Sequence, residues 1–269
     1  SERFLSKLFH DAVHTHCETD TGKEISLAAV GGYGRGELSP GSDLDILIVH
    51  NGKIGQEKLK AIVNDLLYPL WDKNSVDHSV RTRSETKEAA ASDLRVATGL
   101  LDIRFIAGNA DLVGAVRADS LDYWRKDAKR NLPELEKTLS ERHERAGELA
   151  YLLEPDLKEA RGGLRDIQAL RAISLSGAVQ VPLEKISWAE STLNNVREAL
   201  HTASGRGKDR LLFQEQDKVA KILNYKDADG MMSDVARAAR TVDYLLDYTW
   251  HALEHKGKDG LGRIMRRPR

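Results

Sequence analysis

The chain has 269 residues, of which 41% are hydrophobic and 31% are charged, and its formal net charge is −1. This composition suits one large or two small folded domains, and the near-neutral charge gives no support for a nucleic-acid partner. No apolar run approaches the roughly 18 residues of a membrane-spanning helix. The single cysteine, Cys17, cannot form an internal disulfide, which favours a reducing cytoplasm.

The first part of the chain alternates between helical and strand patterns. Apolar residues recur at helical spacing over residues 2–17 and 56–71. Strands are predicted over 25–30, 43–50 and 75–81. Beyond its first residues the second of these strands is apolar on both faces, which predicts a central strand covered on both sides.

The rest of the chain is helical by pattern. Helices are predicted to run through residues 93–106, and no convincing strand follows residue 109. The later predicted helices cover 111–130, 134–153, 164–175, 187–203, 215–224 and 233–254. The sequence therefore predicts an α+β fold, in which a small mixed-sheet domain over 1–108 is followed by an all-helical domain over 109–269.

The connection between the first two strands carries the clearest chemistry. Gly31 and Gly32 end the first strand, and backbone without side chains can approach a phosphate closely. Asp43 and Asp45 open the second strand, so that their side chains share one face about 7 Å apart along the chain. Paired carboxylates repel each other, whereas Mg²⁺ binds carboxylates together with phosphate oxygens. The pattern therefore favours a metal-dependent site for a nucleoside triphosphate.

Three further residues are candidates for the same site. Ser42 is either a phosphate donor or a turn cap, and Arg35 is either a phosphate clamp or a surface residue. A short helix near 34–38 would add its N-terminus to the phosphate site. If the third strand lies beside the second, Asp77 can share the metal and accept the proton of an attacking hydroxyl. The alternative interpretation of Asp77 is an ordinary exposed strand residue.

Gly31-Gly32, a ten-residue spacer and Asp43-x-Asp45 resemble the signature of the polymerase-β-like nucleotidyltransferase superfamily. The fuller stretch is similar to the bacterial PII-protein uridylyltransferase/uridylyl-removing enzymes. Residues 77–82, 93–102 and 158–168 are similar to further motifs of that family, the last through its Gly-Gly-Leu-Arg-Asp-Ile-Gln string. The resemblance therefore spans essentially the whole chain.

The resemblance implies a polymerase-β-like core that transfers a nucleotide from a triphosphate to a tyrosine of a PII nitrogen-signalling protein, releasing pyrophosphate. It also implies that Gly31 and Gly32 hold the triphosphate and that Asp43 and Asp45 hold metal, expected as two Mg²⁺ ions with Mn²⁺ as the substitute. Asp77 stands where family members often have glycine. The related glutamine synthetase adenylyltransferases have an acid there, which favours Asp77 as a third metal ligand.

Two alternatives stay open from the sequence. No pattern in the sequence identifies the nucleotide base, so the substrate is UTP or ATP. The second enzymatic hypothesis is therefore adenylylation of PII or of another protein such as glutamine synthetase. The other class is a catalytically inactive module that binds PII for regulation. Full-length family members continue into HD and ACT domains that this sequence lacks, so we expect it to be the transferase part of a longer protein.

Overall fold

The computed structural model describes residues 2–16, 23–37, 43–71, 75–205 and 207–264, with side chains described as far as residue 255. The chain divides into two compact units, Ser1–Lys126 and Asp127–Arg269. The first unit contains α1 (Glu2–His16), β1 (Ile25–Ala29), α2 (Gly31–Gly34), β2 (Leu44–His50), α3 (Gln56–Trp71), β3 (Val76–Thr82), α4 (Arg83–Ser92), α5 (Leu94–Leu100), β4 (Arg104–Gly108) and α6 (Ala110–Lys126).

The first unit is built on a four-stranded mixed sheet in the order β3-β2-β1-β4. Strand β1 pairs antiparallel with β2 and with β4, whereas β2 pairs parallel with β3. On one face Ile46 and Ile48 share a core with Phe9 of α1 and Leu66 of α3. The intervening residues of β2 are equally buried, which confirms the prediction of a central strand with two apolar faces.

Strand β4 corrects the prediction of helix through residue 106. It pairs antiparallel with β1: Gly108 lies opposite Ser26 at one end, and Arg104 lies opposite Ala29 at the other. A five-residue segment with three apolar residues has too few positions to separate helical from strand periodicity, and a distant strand decides its conformation. Helix α6 follows β4 directly and packs on β1 and β4, so it lies in the first unit although the predicted division at residue 108 precedes it.

The second unit is helical, as the sequence predicts. Its helices are α7 (Ala128–Ala146), α8 (Leu164–Ser176), α9 (Ser187–Ser204), α10 (Phe213–Ile222) and α11 (Ala228–Ile264), with short 3-10 helices at Leu149–Tyr151 and Leu183–Ile186. None of the described residues in this unit belongs to the sheet. In the described part of the chain, no helix combines the length and the apolar character needed to cross a membrane.

The Gly162-Gly163 pair of the resembled motif has a packing role in this unit. Gly162 has a φ of +83°, and a Cβ there would lie 2.5 Å from the carbonyl oxygen of Ala239 on α11. Its amide donates to the fully buried Asp166 at 2.6 Å, and His143 of α7 lies 2.9 Å from the same carboxylate. Only glycine therefore allows this loop to approach Ala239 of α11 while its amide binds Asp166 of α8.

Asp209 gives the second unit a predictable response to acid. Its carboxylate accepts from Arg197 Nε at 2.6 Å and lies 2.8 Å from His201 Nε2. Burial opposes ionisation, but the hydrogen bond to His201 and the charge of Arg197 outweigh it and lower the pKa of Asp209. Because the pKa of Asp209 is lower in the folded protein than the value of about 3.9 in the unfolded chain, its ionised carboxylate stabilises the fold above that pH. This stabilisation is lost as the pH falls below it.

We therefore expect the free energy of unfolding to fall as the pH drops below about 4, and to fall less steeply in Asp209→Asn. Denaturant titrations at a series of acidic pH values measure this slope. The exposed residue Asp217 of α10 provides the matched control, since Asp217→Asn should keep the wild-type slope. Equal slopes in Asp209→Asn and wild type would contradict the assignment.

Candidate active site

The sheet brings the glycine pair beside the second strand. The amide of Val30 donates to the carbonyl oxygen of Asp45 at 3.0 Å, one step beyond the pairing of Ala29 with Ile46. The chain then turns directly into α2, which begins at Gly31 and not near residue 34 as the sequence predicts. At Gly31 φ is +54°, and a Cβ would lie 3.1 Å from Oδ2 of Asp45. The first glycine therefore contacts the carboxylate of the Asp-x-Asp motif.

Asp45 and Asp77 are direct register partners in the parallel ladder of β2 and β3. Neighbouring strands lie about 4.8 Å apart, and register partners point to the same face. The condition set for Asp77, a third strand adjacent to the second, is therefore met. Asp43 precedes the first residue of β2, so that all three aspartates lie at one end of the sheet. Asp43 and Asp77 are exposed and Asp45 is half-buried.

The donor set suits a metal that binds together with its substrate. Within the described ranges, no three or more His, Cys, Asp or Glu side chains form a group that could hold a metal ion by itself. Mg²⁺ is usually held by one or two carboxylates plus substrate phosphates and water. The carboxylates of Asp45 and Asp77 lie on adjacent strands beside the turn Gly31–Gly34, called the glycine turn below, and this arrangement is compatible with such a shared site.

Arg35 lies against the glycine turn in a mostly buried position. Its Nε donates to Glu37 at 2.9 Å and its Nη1 donates to Asp102 at 2.5 Å. Burial opposes the charge, but the two carboxylates outweigh it and raise the pKa of Arg35. The remaining terminal nitrogen, Nη2, lies 3.7 Å from the position that a Cβ on Gly32 would take. Arg35 is thus oriented by two carboxylates with one nitrogen near the second glycine.

Two residues near the start of β4 also contact the turn, although the sequence patterns assigned neither of them to the site. The carbonyl oxygen of Asp102 lies 2.1 Å from the position of a Cβ on Gly34. Arg104 donates to the carbonyl oxygens of Gly34 and Tyr33, each at 2.9 Å. The available signal was the apolar run that follows Arg104, since a strand there would begin at this end of the sheet. Ser42 lies outside the described residues.

Comparison with known proteins agrees with this geometry. Residues 15–88 match the family described as nucleotidyltransferase domain, a segment that contains the glycine pair and all three aspartates. Residues 130–176 and 181–250 match the family described as GlnD PII-uridylyltransferase. The first unit thus belongs to the nucleotidyltransferase class.

The similarity extends over nearly the whole chain. A bifunctional uridylyltransferase/uridylyl-removing enzyme from Streptomyces coelicolor is 47% identical over 99% of the chain, and one from Mycobacterium tuberculosis is 38% identical over 91%. The chain spans 30% of the length of the first relative and 31% of the second. The matches and the relatives agree with the family that the motifs predict, the PII-uridylyltransferases.

Proposed function

We propose that the chain transfers UMP from UTP to a tyrosine hydroxyl of a PII signalling protein in a Mg²⁺-dependent reaction that releases pyrophosphate. The observation that carries the proposal is the pairing of Asp45 with Asp77 on adjacent strands, with Gly31 against the Asp45 carboxylate. Both relatives are named as uridylyltransferases, which supports UTP as the nucleotide.

The glycine pair is proposed to bind the triphosphate. Gly31 and Gly32 are the first two residues of α2, and the first amides of a helix lack acceptors within the helix. Such amides favour phosphate oxygens. Arg35 Nη2, near Gly32, would add a charge-assisted hydrogen bond to the same phosphates. Ser42 is proposed as a further donor.

The aspartates are proposed to bind the metal and to accept the proton. Asp43, Asp45 and Asp77 supply the carboxylate oxygens for one or two Mg²⁺ ions, which when bound stabilise the charge on the attacking and leaving oxygens. The tyrosine oxygen forms a bond to the α-phosphorus while the bond from that phosphorus to the pyrophosphate oxygen breaks. The tyrosine proton passes to Asp77, whose exposed position on β3 leaves it accessible to a protein acceptor.

A nucleotide-resolved transfer assay tests the proposal. The chain is incubated with a PII protein, Mg²⁺ and either UTP or ATP that carries the label on its α-phosphate. We expect label on PII from UTP, matched by pyrophosphate release, and no label on a PII variant whose tyrosines are replaced by phenylalanine. Transfer from ATP alone would identify an adenylyltransferase instead. Binding of PII without transfer from either nucleotide would identify an inactive regulatory module.

A further inference from the structure

The glycine turn is supported on the side away from the aspartates by the start of β4. Arg104 is the register partner of Ala29, the last residue of β1. Ala29 in turn pairs with Ile46, which follows Asp45. Because β4 and β2 flank β1, Arg104 lies at the same end of the sheet as the aspartates, with the glycine turn between them.

We propose that Arg104 is a positioning residue, which fixes the glycine turn so that Gly31 and Gly32 are held in the geometry that binds the triphosphate beside Asp45. This inference rests on the proposed function and assigns a role to a residue outside the motif.

The contacts of Arg104 are those of a fork that holds two consecutive carbonyls. Its Nε donates to the carbonyl oxygen of Gly34 and its Nη2 to that of Tyr33, both at 2.9 Å. These carbonyls belong to the last residues of α2, where a cation is favourable. The third nitrogen, Nη1, pairs with Glu2 of α1, and the guanidinium lies 5.5 Å from the centre of the Tyr33 ring. With all three nitrogens engaged, Arg104 acts on the turn and not on the nucleotide.

The turn depends on such external contacts because it is very short. Helix α2 has four residues, and its N-cap, Val30, provides no side-chain hydrogen bond. A single helical turn is unstable on its own, since nucleation fixes several residues for one hydrogen bond. The close approach of Gly34 to the carbonyl of Asp102 holds the turn against the same segment that carries Arg104. The position of the phosphate-facing amides therefore depends on Arg104 and on the segment just before β4.

The test distinguishes the paired hydrogen bonds of the Arg104 guanidinium from its positive charge. Arg104→Lys keeps the charge but cannot bind both carbonyls as a planar fork, and Arg104→Met removes every donor. We expect both variants to raise the KM for UTP about tenfold, as the loss of two hydrogen bonds allows, and to leave the KM for PII unchanged. Amide hydrogen exchange of residues 34–37 should be faster in both variants. Glu2→Gln, which removes only the third partner, should behave as wild type in both measurements.

Three outcomes would overturn the inference. A wild-type KM in Arg104→Lys would show that charge alone is needed, and unchanged amide exchange in both variants would show that the turn does not depend on Arg104. A lowered melting temperature with an unchanged KM for UTP would show a purely structural role. If the wild-type chain transfers no nucleotide, the proposed function fails, and the exchange rates together with thermal stabilisation by Mg²⁺ and UTP still decide the role of Arg104.

Discussion

Asp45→Asn is expected to lower the rate of nucleotidyl transfer by about 10³-fold or more, since metal stabilisation of the transition state is worth several kcal/mol and each 1.36 kcal/mol is tenfold. Asp45 combines three features found at no other aspartate of the motif: it contacts Gly31, it pairs with Asp77 and it follows Asp43 by two positions. Initial rates of labelled UMP transfer at saturating Mg²⁺ measure the effect. The double variant Asp43→Asn/Asp45→Asn should have no measurable activity.

The controls distinguish a lost ligand from a damaged fold. Because Asp45 is only half-buried, we expect Asp45→Asn to fold and to melt near the wild-type temperature without ligand. The stabilisation that Mg²⁺ and UTP together give to the wild type should be lost. Asp11→Asn makes the same chemical change at an exposed position of α1 and should leave transfer unchanged. Full activity in the double variant would contradict the whole assignment of the metal site.

Asp77→Asn decides between the two interpretations that the sequence left open for this residue. If Asp77 is a ligand of the catalytic ion, Asp77→Asn should lower the transfer rate about as much as Asp45→Asn does. If Asp77 is an ordinary exposed residue, the rate should fall less than about threefold. The parallel register of β2 and β3 places Asp77 opposite Asp45, which favours the first outcome. The comparison uses the same assay and the same Mg²⁺ series as for Asp45.

Local patterns were sufficient to predict the central strand of the first unit, whereas the roles of the residues on it stay predictions. The apolar run of β2 predicted its central position, and the two-residue period placed Asp43 and Asp45 together. Asp77 was predicted conditionally, because periodicity gives the face of a strand but not its neighbour. The parallel pairing of β2 with β3 is a tertiary property that only the structure supplies.

The residues that support the site could not be predicted in this way. Arg104 contacts the turn across 70 residues of sequence, from a strand that local periodicity assigned to a helix. The two carboxylates that orient Arg35 include Asp102, which is 67 residues away from it in the sequence. Likewise the string around Gly162 was recognised by resemblance, but its physical cause, the carbonyl of Ala239, lies on another helix. Long-range contacts of this kind leave no period in the sequence.

Gly34→Ala is expected to destabilise the first unit by about 1–3 kcal/mol or more, because an added Cβ forces backbone to move. That Cβ would lie 2.1 Å from the carbonyl oxygen and 3.0 Å from the carbonyl carbon of Asp102, and neither atom can rotate away. Thermal and denaturant unfolding measure the loss. An unchanged melting temperature would contradict the close contact between the turn and the segment before β4.

Gly32→Ala, two residues earlier, provides the matched comparison. Its nearest neighbour would be Arg35 Nη2 at 3.7 Å, an ordinary contact, so we expect stability within about 0.5 kcal/mol of wild type. The same methyl group would occupy the side proposed for the phosphates, and the KM for UTP should rise about tenfold or more. If Gly32→Ala binds UTP normally, the phosphates do not approach this glycine. We therefore expect Gly32→Ala to weaken UTP binding and Gly34→Ala to lower stability. The difference follows from their neighbours, since Gly32 faces the proposed ligand and Gly34 faces the backbone that holds the turn.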